Sequence, residues 1–123
     1  MSKRMKVYVA GPYSSDNVLG VLSNIRKGNH VAFELLQMGF APFSPWLDHL
    51  FVMMDHNNDL SVNDFYEYSM EWLRASDAIF VQGDWSNSKG TKAEVAEAER
   101  LGIPVFFDRT KLVNYARGEG FEV

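Results

Sequence analysis

Short apolar runs alternating with stretches of helical period constrain this chain more than any other feature. "KVYVA", Lys6 to Ala10, reads as a buried strand that ends at Gly11-Pro12. Val18, Leu19, Val21, Leu22, Ile25, Ala32, Leu35 and Leu36 then recur at helical spacing, and Gly39 stops that helix. "FAPF", Phe40 to Phe43, reads as a second strand, with Pro42 suggesting an edge position. A short helix and a loop at Asn57–Asp59 are expected next, then Ser61 and Asp64 as a capping box. That box opens the helix "VNDFYEYSMEWLRAS", whose inward stripe is read as Phe65, Tyr66, Trp72 and Leu73. "AIFVQ" is the third strand, and a helix runs from about Thr91 to Leu101 with Gly102 as its stop. "PVFFD" is the fourth strand, and one more short helix ends near Gly118. Strands alternating with helices imply a parallel sheet with right-handed crossovers. The expected fold is α/β: a single flavodoxin-like (Rossmann-like) three-layer domain over residues 1–123, with a four- to five-stranded parallel sheet.

The bulk properties narrow the partners. A net charge of −4 argues against a nucleic-acid backbone, whose binders carry a basic patch or stripe. With no cysteine, disulfides and thiolate metal sites are excluded. His30, His49 and His56 lack metal-ligand spacing, so neither a metal nor a cofactor is expected. "MSKRMKVYVAG" has a basic start without the longer apolar core of a secretory signal. No run approaches the ~18 apolar residues of a membrane span, so the expectation is a soluble cytoplasmic protein.

In parallel α/β sheets, ligands bind beyond the carboxyl ends of the strands, where the strand order reverses. The loops there are 11–15, 44–49 and 83–90. In the first, Gly11 and Pro12 set a tight turn, while Tyr13, Ser14 and Ser15 are within reach of a ligand. In the third, Asp84 and Trp85 lead into Ser86, Asn87, Ser88 and Gly90, a polar loop before a helix N-terminus. Such a loop is either an anion site or an ordinary turn with a serine or threonine cap. Trp85 is either a stacking surface for a planar ring or a lid over the core, and His49 is a candidate acid or base. Ser69 is a small polar residue on an apolar stripe: it either bonds the carbonyl one turn back or marks a helix bordering a pocket. Tyr8 faces one side of a central strand, and its hydroxyl needs a partner. Glu94 lies in the expected first helical turn on or beside the stripe that covers the sheet. It serves either dipole balance or chemistry.

"VYVAGPY", "SDAIFVQGDW" and "SKGTKAEVAEAERLGIPV", in that order, resemble the nucleoside 2-deoxyribosyltransferase family and its nucleotide N-glycosidase relatives, over about Lys6 to Val105. The resemblance implies cleavage of the bond between sugar C1′ and a nucleobase. It matches Glu94 to the family's nucleophile and Tyr8 to the tyrosine that hydrogen-bonds it. Ser88 matches the serine that meets a 5′-phosphate in the nucleotide hydrolases, which points to a nucleotide or nucleoside as the small-molecule partner. Relatives assemble with sites completed by a neighbour, so a homodimer or higher homo-oligomer is expected. Two residues depart from the pattern. Ser69 stands where the family usually has an aspartate that contacts sugar or base, and Ser14 stands where phosphate-binding relatives carry an arginine, leaving Arg26, Lys89 or Lys92 to replace it.

A carboxylate opposite an anomeric carbon stabilises oxocarbenium character and can form a covalent sugar ester. A helix N-terminus and a tyrosine hydroxyl are both expected to hold that carboxylate ionised. The rival expectation is a module that binds a nucleotide without turning it over, and Ser69 is the residue that keeps it open.

Overall fold

The structure, a computed structural model, describes residues 3–123; Met1 and Ser2, the first residues of the basic start, lie outside the described residues. Its elements are β1 (Lys6–Ala10), α1 (Val18–Met38), β2 (Ala41–Phe43), a 3-10 turn (Pro45–Asp48), α2 (His49–Met54), α3 (Val62–Arg74), β3 (Ala78–Val81), α4 (Lys89–Leu101), β4 (Val105–Phe106) and α5 (Arg109–Gly118). All neighbouring strands pair in parallel, in the order β2-β1-β3-β4. The sheet has four strands, the lower of the two expected numbers, and Pro42 falls on an edge strand as expected.

Alternation along β1 creates the two outer layers. Val7 and Val9 face a core shared with Leu35 of α1 and Leu112 of α5. Tyr8 and Ala10 face the other side, with Met70 and Leu73 of α3 and Val95 and Ala98 of α4. Because the period of a strand is two, this assigns every β1 side chain to one layer. The chain steps from β1 to β2 on one side, then crosses to β3 on the other. The strand order therefore reverses between β1 and β3, and a crevice opens beyond their carboxyl ends.

Two sequence expectations are corrected. The inward face of α3 is Ser69, Met70 and Leu73, whereas Tyr66 and Trp72 are exposed. Residues 65, 69 and 73 share one side of the helix. Trp72 lies on its flank and stacks on Phe43, with ring centroids 5.6 Å apart, which covers one ring face and leaves the other outside. The second correction concerns α4, which starts at Lys89 rather than near Thr91. Ser88 is its N-cap: its side chain accepts a hydrogen bond from the Thr91 N–H at 3.2 Å. Gly90 is thus within the first turn rather than in the loop, and Glu94 falls in the second turn.

The turn after β2 is fixed by Trp46, which is buried against α1 and donates its indole N–H to the Pro12 carbonyl at 3.0 Å. The indole packs so closely on Gly28 of α1 that a Cβ there would overlap its ring atoms. Gly28→Ala removes a helix-interior glycine, which in open space stabilises by roughly 0.5–1 kcal/mol. Here we expect a net loss of about 1–3 kcal/mol from overpacking, read as a lower urea midpoint. A raised midpoint would show that the indole has room to move.

Candidate active site

The crevice beyond β1 and β3 holds a cavity of about 720 Å³. Its floor carries Tyr8 and Glu94. The Tyr8 ring is fully buried on the central strand, stacked on Phe43 at 5.5 Å, and its hydroxyl donates a hydrogen bond to Glu94 Oε2. Ser69 lines the same floor from α3, nearly buried, and its hydroxyl beside the phenol favours the phenolate. The phenol is nonetheless held well above its ordinary pKa, first by burial and then by the negative charge of Glu94.

Glu94 opens on the cavity on one side and is otherwise enclosed by protein. Burial pushes its pKa up from the usual carboxylate range to about 7, with the Tyr8 hydrogen bond pulling the other way. The expectation of a firmly ionised carboxylate is therefore corrected. The helix-dipole effect falls off within the first turn, and Glu94 is in the second, so desolvation outweighs the groups that favour charge.

Other expected site residues gather around the floor. Gly11, Pro12, Tyr13 and Ser14 form the wall after β1, and Asp84, Ser88 and Gly90 the wall before and within α4. Gly11 has a tight reason to be glycine, since a Cβ would run into the Gln82 backbone. Four expected residues, Ser15, His49, Trp85 and Ser86, are not brought to the cavity. Trp85 turns away and stacks on Phe107 at 5.6 Å, closer to the covering role than to ring binding. The Ser86 hydroxyl donates to Asp84 at 2.7 Å in an exposed turn, and His49 Nδ1 lies 2.6 Å from the Trp46 carbonyl oxygen. Of the three cations considered for the missing arginine, Lys89 lines the cavity and Arg26 and Lys92 do not.

Sequence reasoning missed Asp48 and the cavity role of Tyr66. The Tyr13 hydroxyl donates to Asp48 Oδ1 at 2.6 Å, and both residues line the cavity. Burial raises the Asp48 pKa from its ordinary value, while the Tyr13 hydrogen bond and nearby His49 act against that rise. The signal was available in an acid one turn past the carboxyl end of a strand, in a loop already assigned to the functional edge. Among the described residues no cluster of three or more His, Cys, Asp or Glu could hold a metal, and no helix is long and apolar enough to cross a membrane.

The small parallel sheet thus carries its pocket at the strand-order reversal, floored by a tyrosine–glutamate pair. The chain belongs to the family described as a domain of unknown function (DUF4406), which it matches over residues 5–107. Among solved structures it is similar to a 2-deoxyribosyltransferase from the psychrotolerant bacterium Bacillus psychrosaccharolyticus. The two are 25% identical, with a TM-score of 0.57, over 81% of this chain and 69% of that one. No curated protein matches the sequence.

The raised pKa of Glu94 has a consequence for stability. The unfolded chain loses this proton near 4.5 and the folded chain near 7. The contribution is fully present below pH 4.5 and is lost as pH rises through 7, amounting to about 3 kcal/mol. Glu94→Gln cannot lose a proton there. We expect its stability relative to wild type to climb between pH 4.5 and 7 in denaturant titrations; parallel curves for the two proteins would contradict the burial of this carboxyl.

Proposed function

We propose that this protein cleaves the N-glycosidic bond of a nucleotide by a retaining mechanism, with Glu94 as the nucleophile. The observation that carries this reading is the Tyr8–Glu94 hydrogen bond on the floor of a cavity large enough for a nucleotide. A carboxylate that opens on a cavity and is held from behind by a phenol has one oxygen oriented and the other free to attack C1′. The similarity to a 2-deoxyribosyltransferase supports the same reaction class.

In the proposed reaction, Glu94 attacks C1′ as the base departs, forming a sugar ester. Water then releases the sugar, or a second base accepts it. The phosphate would meet the N-terminus of α4, where Ser88, Lys89 and Gly90 line the cavity and the first backbone N–H groups lack intrahelical partners. Ser88 caps the helix as well, so Lys89 is the cleaner residue to test. The chain is further proposed to act as a homo-oligomer. Support comes from α2, which buries none of its residues although Leu50, Phe51, Val52, Met53 and Met54 are all exposed apolar side chains.

The second reading, a nucleotide-binding module without turnover, is favoured by one observation. With a pKa of about 7, Glu94 is neutral in a substantial fraction of molecules at neutral pH, and a neutral carboxyl is a poor nucleophile.

Base release from a panel of nucleosides and nucleotides separates the two readings. The enzyme reading expects release that falls by a factor on the order of a thousand or more in Glu94→Gln. It also expects kcat/KM to rise with pH through an acidic limb near 7, where Glu94 loses its proton. Tyr8→Phe removes the hydrogen bond that favours the ionised form and should move that limb to higher pH. Tight nucleotide binding without base release, unaltered by Glu94→Gln, would favour the binding module.

The phosphate assignment has its own test. Monophosphates should outcompete nucleosides, and Lys89→Ala should erase most of that advantage, worth ~1.5–3 kcal/mol for a hydrogen bond to a charged group. Equal competition by nucleoside and monophosphate against wild type would overturn the assignment.

A further inference from the structure

A retaining displacement places the nucleophile and the leaving base on opposite faces of C1′. If Glu94 attacks from the α4 side, the base leaves toward the opposite wall. The sheet order supplies that wall. Glu94 comes from the helix after β3, Tyr8 lies on β1 in the middle, and the turn after β2 closes the other side of the cavity. That far side presents one carboxyl group, Asp48.

Three carboxyl groups line the cavity: Asp48, Asp84 and Glu94. Asp84 is exposed and accepts hydrogen bonds from the Ser86 N–H and hydroxyl, which hold its pKa below the usual carboxylate range. It is a poor proton donor. Asp48 is half-buried and receives one hydrogen bond, from Tyr13, on Oδ1, and its second oxygen accepts none among the described residues. Its turn is anchored from beneath by Trp46, whose indole is seated on Gly28 and bonded to Pro12. One oxygen is thus positioned and the other remains for a ligand. Ser69, on the floor of the cavity, carries no acidic proton.

We propose that Asp48, oriented by Tyr13, is the acid that protonates the departing nucleobase and then the base that activates water. This rests on the proposed function of Glu94. In the first step the C1′–N bond breaks, its electron pair goes to the base nitrogen, and that nitrogen takes the proton of Asp48 while a Glu94 oxygen bonds to C1′. In the second step water bonds to C1′, the Glu94 ester breaks, and the water proton returns to Asp48. Both carboxyl groups end as they began. Burial supports the role by raising the Asp48 pKa from its ordinary value, which favours the protonated form.

The test uses two substrates of the intact protein: the nucleotide it cleaves, and the same sugar phosphate carrying p-nitrophenolate, which departs without a proton. Asp48→Asn should slow the nucleotide about 100-fold or more and the p-nitrophenolate substrate less than about 10-fold, given that general acid catalysis contributes ~10²–10⁴. Glu94→Gln should slow both. Tyr13→Phe keeps the carboxyl and removes the hydrogen bond that orients it, so it should slow the nucleotide more than the p-nitrophenolate substrate; this variant serves if Asp48→Asn fails to fold. An equal loss on both substrates, in Asp48→Asn or in Tyr13→Phe, overturns the role of Asp48 and leaves Glu94 standing. Full activity of Glu94→Gln on p-nitrophenolate, or no turnover of either substrate by wild type, overturns the reading of the site and this proposal with it.

Discussion

The hydrogen bond from Tyr8 to Glu94 joins the centre of the sheet to the helix that covers it, and the rest of the pocket is arranged around that contact. Tyr8 is on a strand with neighbours on both sides, its ring wholly buried, so its hydroxyl has no water to turn to. A buried phenol without a partner would cost on the order of 1–3 kcal/mol. Glu94 provides the partner, and the phenol in turn moderates the desolvation of the carboxyl. Neither residue fits its place without the other. This mutual need explains why a carboxyl group is tolerated on the face of α4 that packs toward the sheet.

The fold was legible where physical period and punctuation agree. Apolar runs such as "KVYVA" and "AIFVQ" have no alternative to burial in a central strand, and the glycines at 39 and 102 end helices at positive φ where they were expected to. Ser61 with Asp64 forms the capping box its spacing suggested. The orientation of α3 was less legible. An aromatic stripe is read as buried by default, but Trp72 finds enough contact on the ring of Phe43 without entering the core. Ser69 takes the inward place because that side borders a cavity rather than packed side chains.

The candidate site was legible in its residue types and less so in its electrostatics. The start of α4 depends on which of several serines caps it, and the choice of Ser88 moves Glu94 two residues deeper, from the first turn into the second. That shift exchanges dipole support for desolvation and turns an expected low pKa into a raised one. Asp48 escaped notice because its meaning depends on Tyr13, 35 residues earlier in the chain, a pairing made only when the loops after β1 and β2 close over the same crevice. Residue 69 is a serine, yet the pocket is not short of acids: Asp48 enters it from the turn after β2.

The central claim is that Glu94 becomes covalently bonded to a sugar carbon. A nucleotide bearing fluorine at C2′ disfavours oxocarbenium character and slows the release of any sugar ester that forms, so the ester should accumulate. Mass spectrometry after trypsin digestion is the most direct measurement. The account predicts that the peptide from Ala93 to Arg100 gains the mass of the fluorinated sugar phosphate, with the label on Glu94. Base release with no label on that peptide, or with the label on another residue, would contradict it.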